Sequence, residues 1–253
     1  MRCLFCQNWS ISQADPAETR DQWLSPEAVV KEAAERHSEF IVFTYTEPTV
    51  FYEYMLDIAK IAHARGMKTA MHSCGYINPQ PLKELLPYLD AVNIDLKGFR
   101  REFYQKMGLA ELAPVLECLK TIKAAGVWLE ITNLVIPGAN DDPAEIREMC
   151  GWIKENLGAD VPVHFTRFMP AFRLNSLPPT PVAKLEEAAR LAKAVGLHFV
   201  YIGNVPGHPA ESTYCPTCGK RVVTRVGYNT TQISIRQGRC AFCNAPLAGR
   251  WGR

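Results

Sequence analysis

At 253 residues, the chain is long enough to bury one large α/β core, or one domain together with a small module. Hydrophobic residues make up 47% and charged residues 21%, as in ordinary globular proteins, and a formal net charge of +2 gives no indication of a nucleic-acid partner. No apolar run has the length of a membrane span and no signal-peptide pattern opens the chain, so we expect a cytoplasmic protein with no membrane partner.

The first feature in chain order is a pair of cysteines, Cys3 and Cys6, with Phe5 directly before the second. Their spacing is that of the last two cysteines in a C-x3-C-x2-C pattern, in which three thiolates hold a [4Fe–4S] cluster. The first cysteine of such a pattern would stand four positions before Cys3, and the sequence has only two residues there. On spacing alone, a redox dithiol or half of a zinc site stays open.

Predicted strands and helices alternate from residue 25 to about residue 205. The strands are continuous apolar runs, which is typical of a parallel sheet covered on both faces. The predicted strands are 39–45, 67–73, 91–96, 128–135, 161–168 and 198–202, and the predicted helices are three turns after Ser25, then 49–66, 81–88, 112–125, 143–156 and 182–194. About six βα units indicate a full or partial (β/α) barrel of the TIM type, with a doubly wound open sheet as the alternative.

The composition changes after Ile202. Residues 203–209 read as a linker rich in glycine and proline. Beyond it stand two C-x2-C pairs separated by 21 residues, and four thiolates form the closed tetrahedral site of structural Zn²⁺. The four predicted ligands are Cys215, Cys218, Cys240 and Cys243. We therefore predict two domains, an α/β domain in residues 1–205 and a zinc-ribbon-like module in residues 206–253.

This module is basic. It has no acidic residue after Glu211, whereas seven Lys and Arg residues follow position 213 and partly offset the negative charge of a four-thiolate centre. A fold-stabilising role is the simpler interpretation, and docking to nucleic acid or to an acidic partner stays open, as does a rubredoxin-like iron site. The other three cysteines, Cys74, Cys118 and Cys150, are predicted to be buried apolar residues.

Four motifs in order give the sequence a family resemblance. They are CLFCQNWSISQ at 3–13, YTEPT at 45–49, NIDLKGF at 93–99 and the cysteine-rich tail. Together they resemble the radical SAM enzyme of the AmmeMemoRadiSam system, a relative of the pyruvate formate-lyase activating enzymes. The resemblance covers essentially the whole chain. It implies a partial (β/α) barrel that lacks its first strand and its first cluster cysteine, and we expect an N-terminally truncated gene model or fragment.

The resemblance also implies cofactor-binding residues for S-adenosylmethionine. They are Phe5, Glu47, Ser73, Gly75, Asp95, Lys97, Ile136 and His164. Phe5 and the loop that begins at Ile136 correspond to positions beside the adenine. Glu47 corresponds to the residue that receives the methionyl ammonium by charge-assisted hydrogen bonding, although Tyr45 and Thr46 replace the two glycines that precede it in the family.

Ser73 and Gly75 correspond to a strand-end turn near the ribose, His164 to a ribose-contacting histidine, and Asp95 and Lys97 to an Asp-x-Lys motif after the next strand. Structural alternatives stay open for several of these positions. His164 can be a satisfied core histidine, and Asp95 with Lys97 a structural ion pair. Glu47 can simply cap the helix that follows it.

The chemistry that the resemblance implies belongs to the cofactors. A reduced [4Fe–4S] cluster, held by Cys3 and Cys6 with the third cysteine absent, cleaves S-adenosylmethionine to a 5′-deoxyadenosyl radical that abstracts hydrogen from an unknown substrate. The implied partners are an electron donor such as ferredoxin or flavodoxin, and Memo-like and AMMECR1-like proteins. Two alternatives remain: an activase that installs a glycyl radical on a partner enzyme, and an inactive truncated barrel that acts as a zinc-ribbon binding module.

Overall fold

A computed structural model of the chain describes residues 1–15, 17, 19 and 22–251. The last two positions of the predicted module, 252 and 253, and four positions of the predicted α/β domain therefore lie outside the described residues. The described chain divides into two compact units. Unit 1 comprises Met1–Leu96, Tyr104–Leu129 and Pro170–Ser176, and unit 2 comprises Lys97–Phe103, Glu130–Met169 and Leu177–Arg253.

Helices and strands alternate along most of the chain, as the apolar pattern predicts. The α-helices are α1 Trp9–Ser12, α2 Pro26–Glu35, α3 Tyr52–Ala64, α4 Pro79–Leu85, α5 Arg101–Phe103, α6 Leu112–Ala124, α7 Pro143–Leu157 and α8 Val182–Val195. The strands are β1 Phe40–Phe43, β2 Lys68–Ser73, β3 Ala91–Asp95, β4 Trp128–Val135, β5 Val163–Arg167, β6 Val200–Gly203, β7 Thr213–Tyr214, β8 Arg221–Val226, β9 Asn229–Ile233, β10 Ile235–Arg236 and β11 Arg239–Cys240. Short 3₁₀ turns occupy Pro48–Phe51, Leu86–Tyr88 and Pro209–Glu211.

The first six strands form one parallel sheet in the order β1-β2-β3-β4-β5-β6. A doubly wound sheet reverses its strand order at a switch point, whereas a barrel winds in one direction. The sequential order therefore agrees with barrel-type winding and rules out the doubly wound alternative. The α/β class with a parallel sheet is confirmed.

In unit 1, β2 pairs in parallel with both β1 and β3. Burial alternates along β2 and β3, and their inward residues, such as Met71 and Ile94, are almost completely buried. Helix α3 adds Met55, Ile58 and Ala59 to this core. The helix predicted after Ser25 is confirmed as α2, and Ser25 caps it, since its hydroxyl accepts a hydrogen bond from the Ala28 amide at 3.2 Å.

In unit 2, β5 pairs in parallel with β4 and β6. Ile131, Val163 and Val200 are buried on one face, while the residues between them are half-buried on the other. Helix α7 starts where Asp142 accepts hydrogen bonds from two backbone amides, those of Ala144 and Glu145.

Two local predictions were wrong, and one element was not predicted. Residues 39–45 were predicted as strand, but only Phe40–Phe43 pair, because the chain turns after Phe43 toward the 3₁₀ turn at Pro48. The linker was placed from residue 203, yet Gly203 closes β6 opposite Thr166. A π-helical turn at Tyr104–Gly108 has no counterpart in the predicted elements. None of the described helices has both the length and the apolar composition needed to cross a membrane.

Gly75 offers a test of how tightly unit 1 is packed. Its φ is +69°, and a Cβ atom there would lie 2.9 Å from Ile94 Cγ2, whereas Gly66 has a φ of +72° and open space around it. We expect Gly66→Ala to cost about 1 kcal/mol of unfolding free energy through its backbone alone. Gly75→Ala should cost about 1–3 kcal/mol more through overpacking. Urea denaturation of both variants checks this, and equal losses would show that the Gly75 site is not close-packed.

Candidate active site and candidate metal centre

Backbone hydrogen bonds hold the N-terminal cysteine loop on both sides within unit 1. The Leu4 amide donates to the Met107 carbonyl at 2.9 Å, and the Arg173 amide donates to the Leu4 carbonyl at 3.1 Å. A turn from Cys3 to Cys6 follows, in which the Cys6 amide donates to the Cys3 carbonyl at 3.3 Å. Both thiols are partly exposed. The backbone of the loop is therefore held in place, and its two thiols are partly accessible to solvent.

The aromatic residues around this loop have different surroundings. Phe5 is only 2% exposed, so it is part of the core of unit 1. Trp9, in the short helix α1 after the loop, stacks on Phe172 with ring centroids 6.2 Å apart. The Cys6 Sγ lies 3.3 Å from the Ser12 hydroxyl, which gives the thiol a polar neighbour.

Glu47 is the central acceptor at the carboxyl end of β2. Its Oε1 accepts from the Ser73 hydroxyl at 2.6 Å and from the Thr49 amide at 3.3 Å, and its Oε2 accepts from the Cys74 amide at 2.8 Å. The predicted capping role is confirmed, because the Thr49 contact caps the 3₁₀ turn at Pro48–Phe51. The carboxylate also binds Ser73 and Cys74 at the end of β2, and the sequence pattern alone does not reveal this contact.

The turn that follows β2 brings Ser73 and Gly75 together. The Gly75 amide donates to the Ser73 hydroxyl at 3.0 Å, and the positive φ of Gly75 lets the backbone pass close to Ile94. Ser73 thus accepts from Gly75 and donates to Glu47, so three of the predicted site residues form one hydrogen-bonded chain in unit 1.

Asp95 pairs with a histidine in unit 1. The His72 Nε2 lies 2.9 Å from Asp95 Oδ1, and both side chains are partly exposed. A carboxylate only accepts hydrogen bonds, so the Nε2 atom carries the hydrogen. The sequence motif gave Asp95 a cofactor role and did not anticipate His72 as its neighbour across the β2–β3 pair.

In unit 2, Asn140 organises the loop that begins at Ile136. Its side-chain amide donates to the carbonyls of Lys97 and Leu134 at 2.6 and 2.8 Å, and its Oδ1 accepts from the Ile136 amide at 2.7 Å. Asn140 is 3% exposed, so all three bonds are shielded from water. The loop after β4 therefore has a fixed shape, and it holds the backbone of Lys97.

His164 forms part of a polar cluster on the half-buried face of β4, β5 and β6. Its Nε2 lies 2.7 Å from Glu130 Oε2, and its ring stacks on Tyr201 at 4.8 Å between centroids. The Tyr201 hydroxyl lies 2.9 Å from Thr213 Oγ1, and burial raises the pKa of Tyr201 so that the phenol stays neutral. His164 is thus a half-buried histidine whose Nε2 has a partner, as the structural alternative expects, and its contact with a ribose stays a prediction. Glu130 is not among the predicted site residues, although it is the one charged residue in the predicted strand 128–135.

The four predicted metal-binding cysteines lie together in unit 2. Their Sγ atoms are all within 4.8 Å of one another, and two of the separations are 3.7 Å, between Cys215 and Cys243, and 3.8 Å, between Cys218 and Cys240. A tetrahedral zinc site with Zn–S bonds of about 2.3 Å requires sulfur separations of about 3.8 Å. The thiol arrangement therefore fits a zinc ion. In residues 1–15, 17, 19 and 22–251 this is the one group of three or more metal-ligating side chains.

Each C-x2-C pair of this centre forms a turn, called a knuckle here, and the two knuckles have the same backbone hydrogen bond. In each knuckle the residue after the second cysteine donates its amide to the first cysteine's carbonyl at 2.9 Å, from Gly219 to Cys215 and from Asn244 to Cys240. Gly219 and Asn244 both have a left-handed φ, of +70° and +59°. Glycine adopts this conformation without strain, and asparagine is one of the few other residues that tolerate it.

The remaining cysteines are structural, as predicted. Cys74, Cys118 and Cys150 are all buried. Burial raises the pKa of the Cys118 and Cys150 thiols to about 12, so these two thiols stay neutral and apolar. Of the nine cysteines, the N-terminal pair and the C-terminal four are therefore the candidates for metal binding.

Residues 1–150, which contain the Cys3–Cys6 loop and Glu47, match the Radical SAM superfamily. The chain belongs to this superfamily. An uncharacterized protein of Methanocaldococcus jannaschii is 45% identical over 248 residues, which cover 97% of this chain and 74% of that protein. The pyruvate formate-lyase-activating enzyme of Clostridium pasteurianum is 24% identical over 157 residues, 61% of this chain and 65% of the relative. The chain thus spans about three quarters of the first relative and just under two thirds of the second.

Solved structures support the same fold. A domain of the pyruvate-formate lyase-activating enzyme from Bacteroides vulgatus superimposes with a TM-score of 0.55 at 16% identity, over 65% of this chain and 98% of that domain. This likeness concerns the fold alone. Together with the sequence matches, it makes the activating enzymes homologues of this radical SAM protein.

Glu47→Gln tests the acceptor role of the carboxylate in unit 1. An amide presents one acceptor oxygen and one NH₂ donor, so its NH₂ group opposes either the Thr49 amide or the Cys74 amide. We expect a loss of about 1–3 kcal/mol in unfolding free energy. Glu53→Gln, an exposed change on α3, serves as the control and should cost only a few tenths of a kcal/mol. Equal denaturation midpoints for the two variants would contradict this assignment.

Cys218→Ser tests the C-terminal centre. Loss of one of four thiolates should reduce tightly bound metal from one ion per chain to substoichiometric levels, because the closed site depends on all four ligands. Plasma mass spectrometry after dialysis measures the metal content. Cys150→Ala, a change at a buried thiol of the same unit, should keep the ion, and a Cys218→Ser protein that still holds one ion per chain would refute the site.

Proposed function

We propose that this protein is a radical SAM enzyme that cleaves S-adenosylmethionine reductively and uses the resulting radical to abstract hydrogen from a substrate not yet known. The observation that carries the proposal is the superfamily match across residues 1–150, which includes the cysteine loop and the strand-end residues around Glu47. When bound, the cluster and S-adenosylmethionine together supply a 5′-deoxyadenosyl radical. The chain's own tasks are to bind, to orient and to exclude water.

Cys3 and Cys6 are the thiolates that this sequence offers to a [4Fe–4S] cluster, one fewer than the three that the resemblance implies. We propose that both thiolates bind cluster irons. The partial exposure of the two thiols supports this role, because it leaves them accessible to a cluster.

Glu47 can receive the methionyl ammonium without losing its structural bonds. A carboxylate has about four lone-pair sites, and three donors occupy Glu47. One acceptor position is left for a charge-assisted bond. Tyr45, with a φ of +38°, already adopts the left-handed backbone that favours the glycine found there in the family.

We propose further residues for S-adenosylmethionine. We assign Phe5 and Ile136 to the adenine, Ser73, Gly75 and His164 to the ribose, and Asp95 and Lys97 to the remaining polar contacts. Hydrogen bonds hold most of these residues in place within their own unit.

We propose further that the enzyme is the radical SAM member of the AmmeMemoRadiSam system. It would work in the cytoplasm on a partial (β/α) barrel in residues 1–205, with a structural zinc ion in the ribbon module of residues 206–253. A ferredoxin or flavodoxin would supply the electron, and Memo-like and AMMECR1-like proteins would be its partners. A glycyl-radical activase is the second candidate, favoured by the similarity to an activating enzyme.

Anaerobic reconstitution tests the proposal. The protein, expressed from its complete natural coding sequence, is reconstituted with iron and sulfide, reduced and given S-adenosylmethionine. We expect 5′-deoxyadenosine, and a large loss with Cys6→Ala. Cys118→Ala serves as the matched thiol control. A protein that binds the cluster but forms no 5′-deoxyadenosine would refute radical SAM activity.

A radical on a partner protein would distinguish glycyl-radical activation from a reaction on a small molecule. If the enzyme is an activase, electron paramagnetic resonance should show a protein radical on an added glycyl-radical partner. If it acts on a small molecule, no such signal should appear while 5′-deoxyadenosine accumulates.

A further inference from the structure

The charge of this protein is divided unevenly along the chain. Residues 1–211 hold 21 Lys and Arg residues and all 26 Asp and Glu residues, a formal charge of −5. Residues 212–253 hold seven Lys and Arg residues and no acidic residue, a formal charge of +7. The overall value of +2 therefore conceals a strongly basic segment.

A zinc ion held by four thiolates carries a charge of −2, so it can neutralise only part of this excess. Four exposed cations flank the two knuckles of the centre. They are Lys220, Arg221, Arg236 and Arg239, named here the knuckle cations. Arg236 and Arg239 stand directly opposite each other in the β10–β11 pair. Like charges in this position repel each other, so an anion bound there would be stabilised.

Two exposed aromatic rings belong to the same basic segment. Tyr228 is fully exposed in the turn between β8 and β9, one strand length from Arg221 at the start of β8. Phe242, within the second knuckle, is 48% exposed. The Lys220 ammonium lies 4.9 Å from the centroid of the Phe242 ring, so a cation and a partly exposed aromatic ring are presented together.

From these features we propose that the knuckle cations, with Tyr228 and Phe242, form a binding surface for single-stranded nucleic acid. Phosphates would contact the Arg and Lys side chains, and unpaired bases would stack on the two rings. The rings favour single strands over duplex, because the faces of paired bases are already stacked on each other. They also favour nucleic acid over an acidic polypeptide, whose carboxylates offer no flat ring for stacking. This surface is independent of the proposed radical chemistry.

Fluorescence anisotropy with a fluorescein-labelled 20-nucleotide single-stranded RNA tests the proposal. The purified full chain, with its metal content measured, is titrated between 50 and 300 mM KCl without iron or S-adenosylmethionine. We expect the dissociation constant to rise steeply with salt. R236E/R239E should reduce the magnitude of the log–log salt slope by about 1.4, because each lost phosphate contact on a single strand contributes about 0.7.

The control is R147E/R190E, which changes the net charge equally at two exposed arginines on α7 and α8. R147E/R190E should leave the salt slope unchanged. If it reduces the slope as much as R236E/R239E does, the effect is one of overall charge, and the proposal is refuted. Tyr228→Ala should weaken binding at least about fivefold with no change in slope, since stacking is not a phosphate contact. Should R236E/R239E lose its metal, Lys220→Gln replaces it as the charge variant, with an expected reduction of about 0.7.

Two results would refute the surface. One is the absence of binding at 50 mM KCl by protein that holds its metal. The other result has two parts: poly-L-glutamate at matched charge displaces the protein from labelled RNA as well as unlabelled RNA does, and Tyr228→Ala binds RNA unchanged. Together they would identify an acidic polypeptide as the ligand class. Neither result bears on S-adenosylmethionine cleavage, so this proposal and the proposed function can fail separately.

Discussion

The structure depends on a constraint of parallel strands, which cannot be joined by tight turns and need a long crossover connection. In each unit, helices supply that connection and bury one face of the sheet. The polar residues that follow each strand then collect at its carboxyl end. Glu47, Ser73 and Gly75 meet in this way in unit 1, and Asn140 fixes the loop after β4 in unit 2.

The helices and buried strands were largely predictable, because they depend on local apolar patterns. The bounds of β4 agree with the predicted strand at both ends, and α6, α7 and α8 differ by one residue at one end. The grouping of the four C-terminal cysteines was equally predictable, because the C-x2-C spacing of each pair brings its two thiols close together. The three buried cysteines were predictable for the opposite reason, since they have no metal-binding spacing.

Contacts between strands were not predictable, because they depend on register. Glu130 and His164 are 34 positions apart, and they meet because the β4–β5 pairing places Thr132 opposite His164. The same holds for His72 and Asp95, which the β2–β3 pairing brings together. The π-helical turn at Tyr104–Gly108 was missed for another reason. It holds the Leu4 segment by backbone atoms, which leave no signature in the side-chain pattern.

The cysteine-rich end of the chain has a very small apolar core. One cluster of four buried residues lies there, and two of them, Cys215 and Cys240, are also proposed metal ligands. The other two are Val222 and Leu247, few for a segment of some forty residues. If the four thiols hold an ion as proposed, folding of this segment would depend on the supply of metal in the cell. Under metal starvation it would then become the first protease-sensitive part of the chain, and its integrity would report metal status.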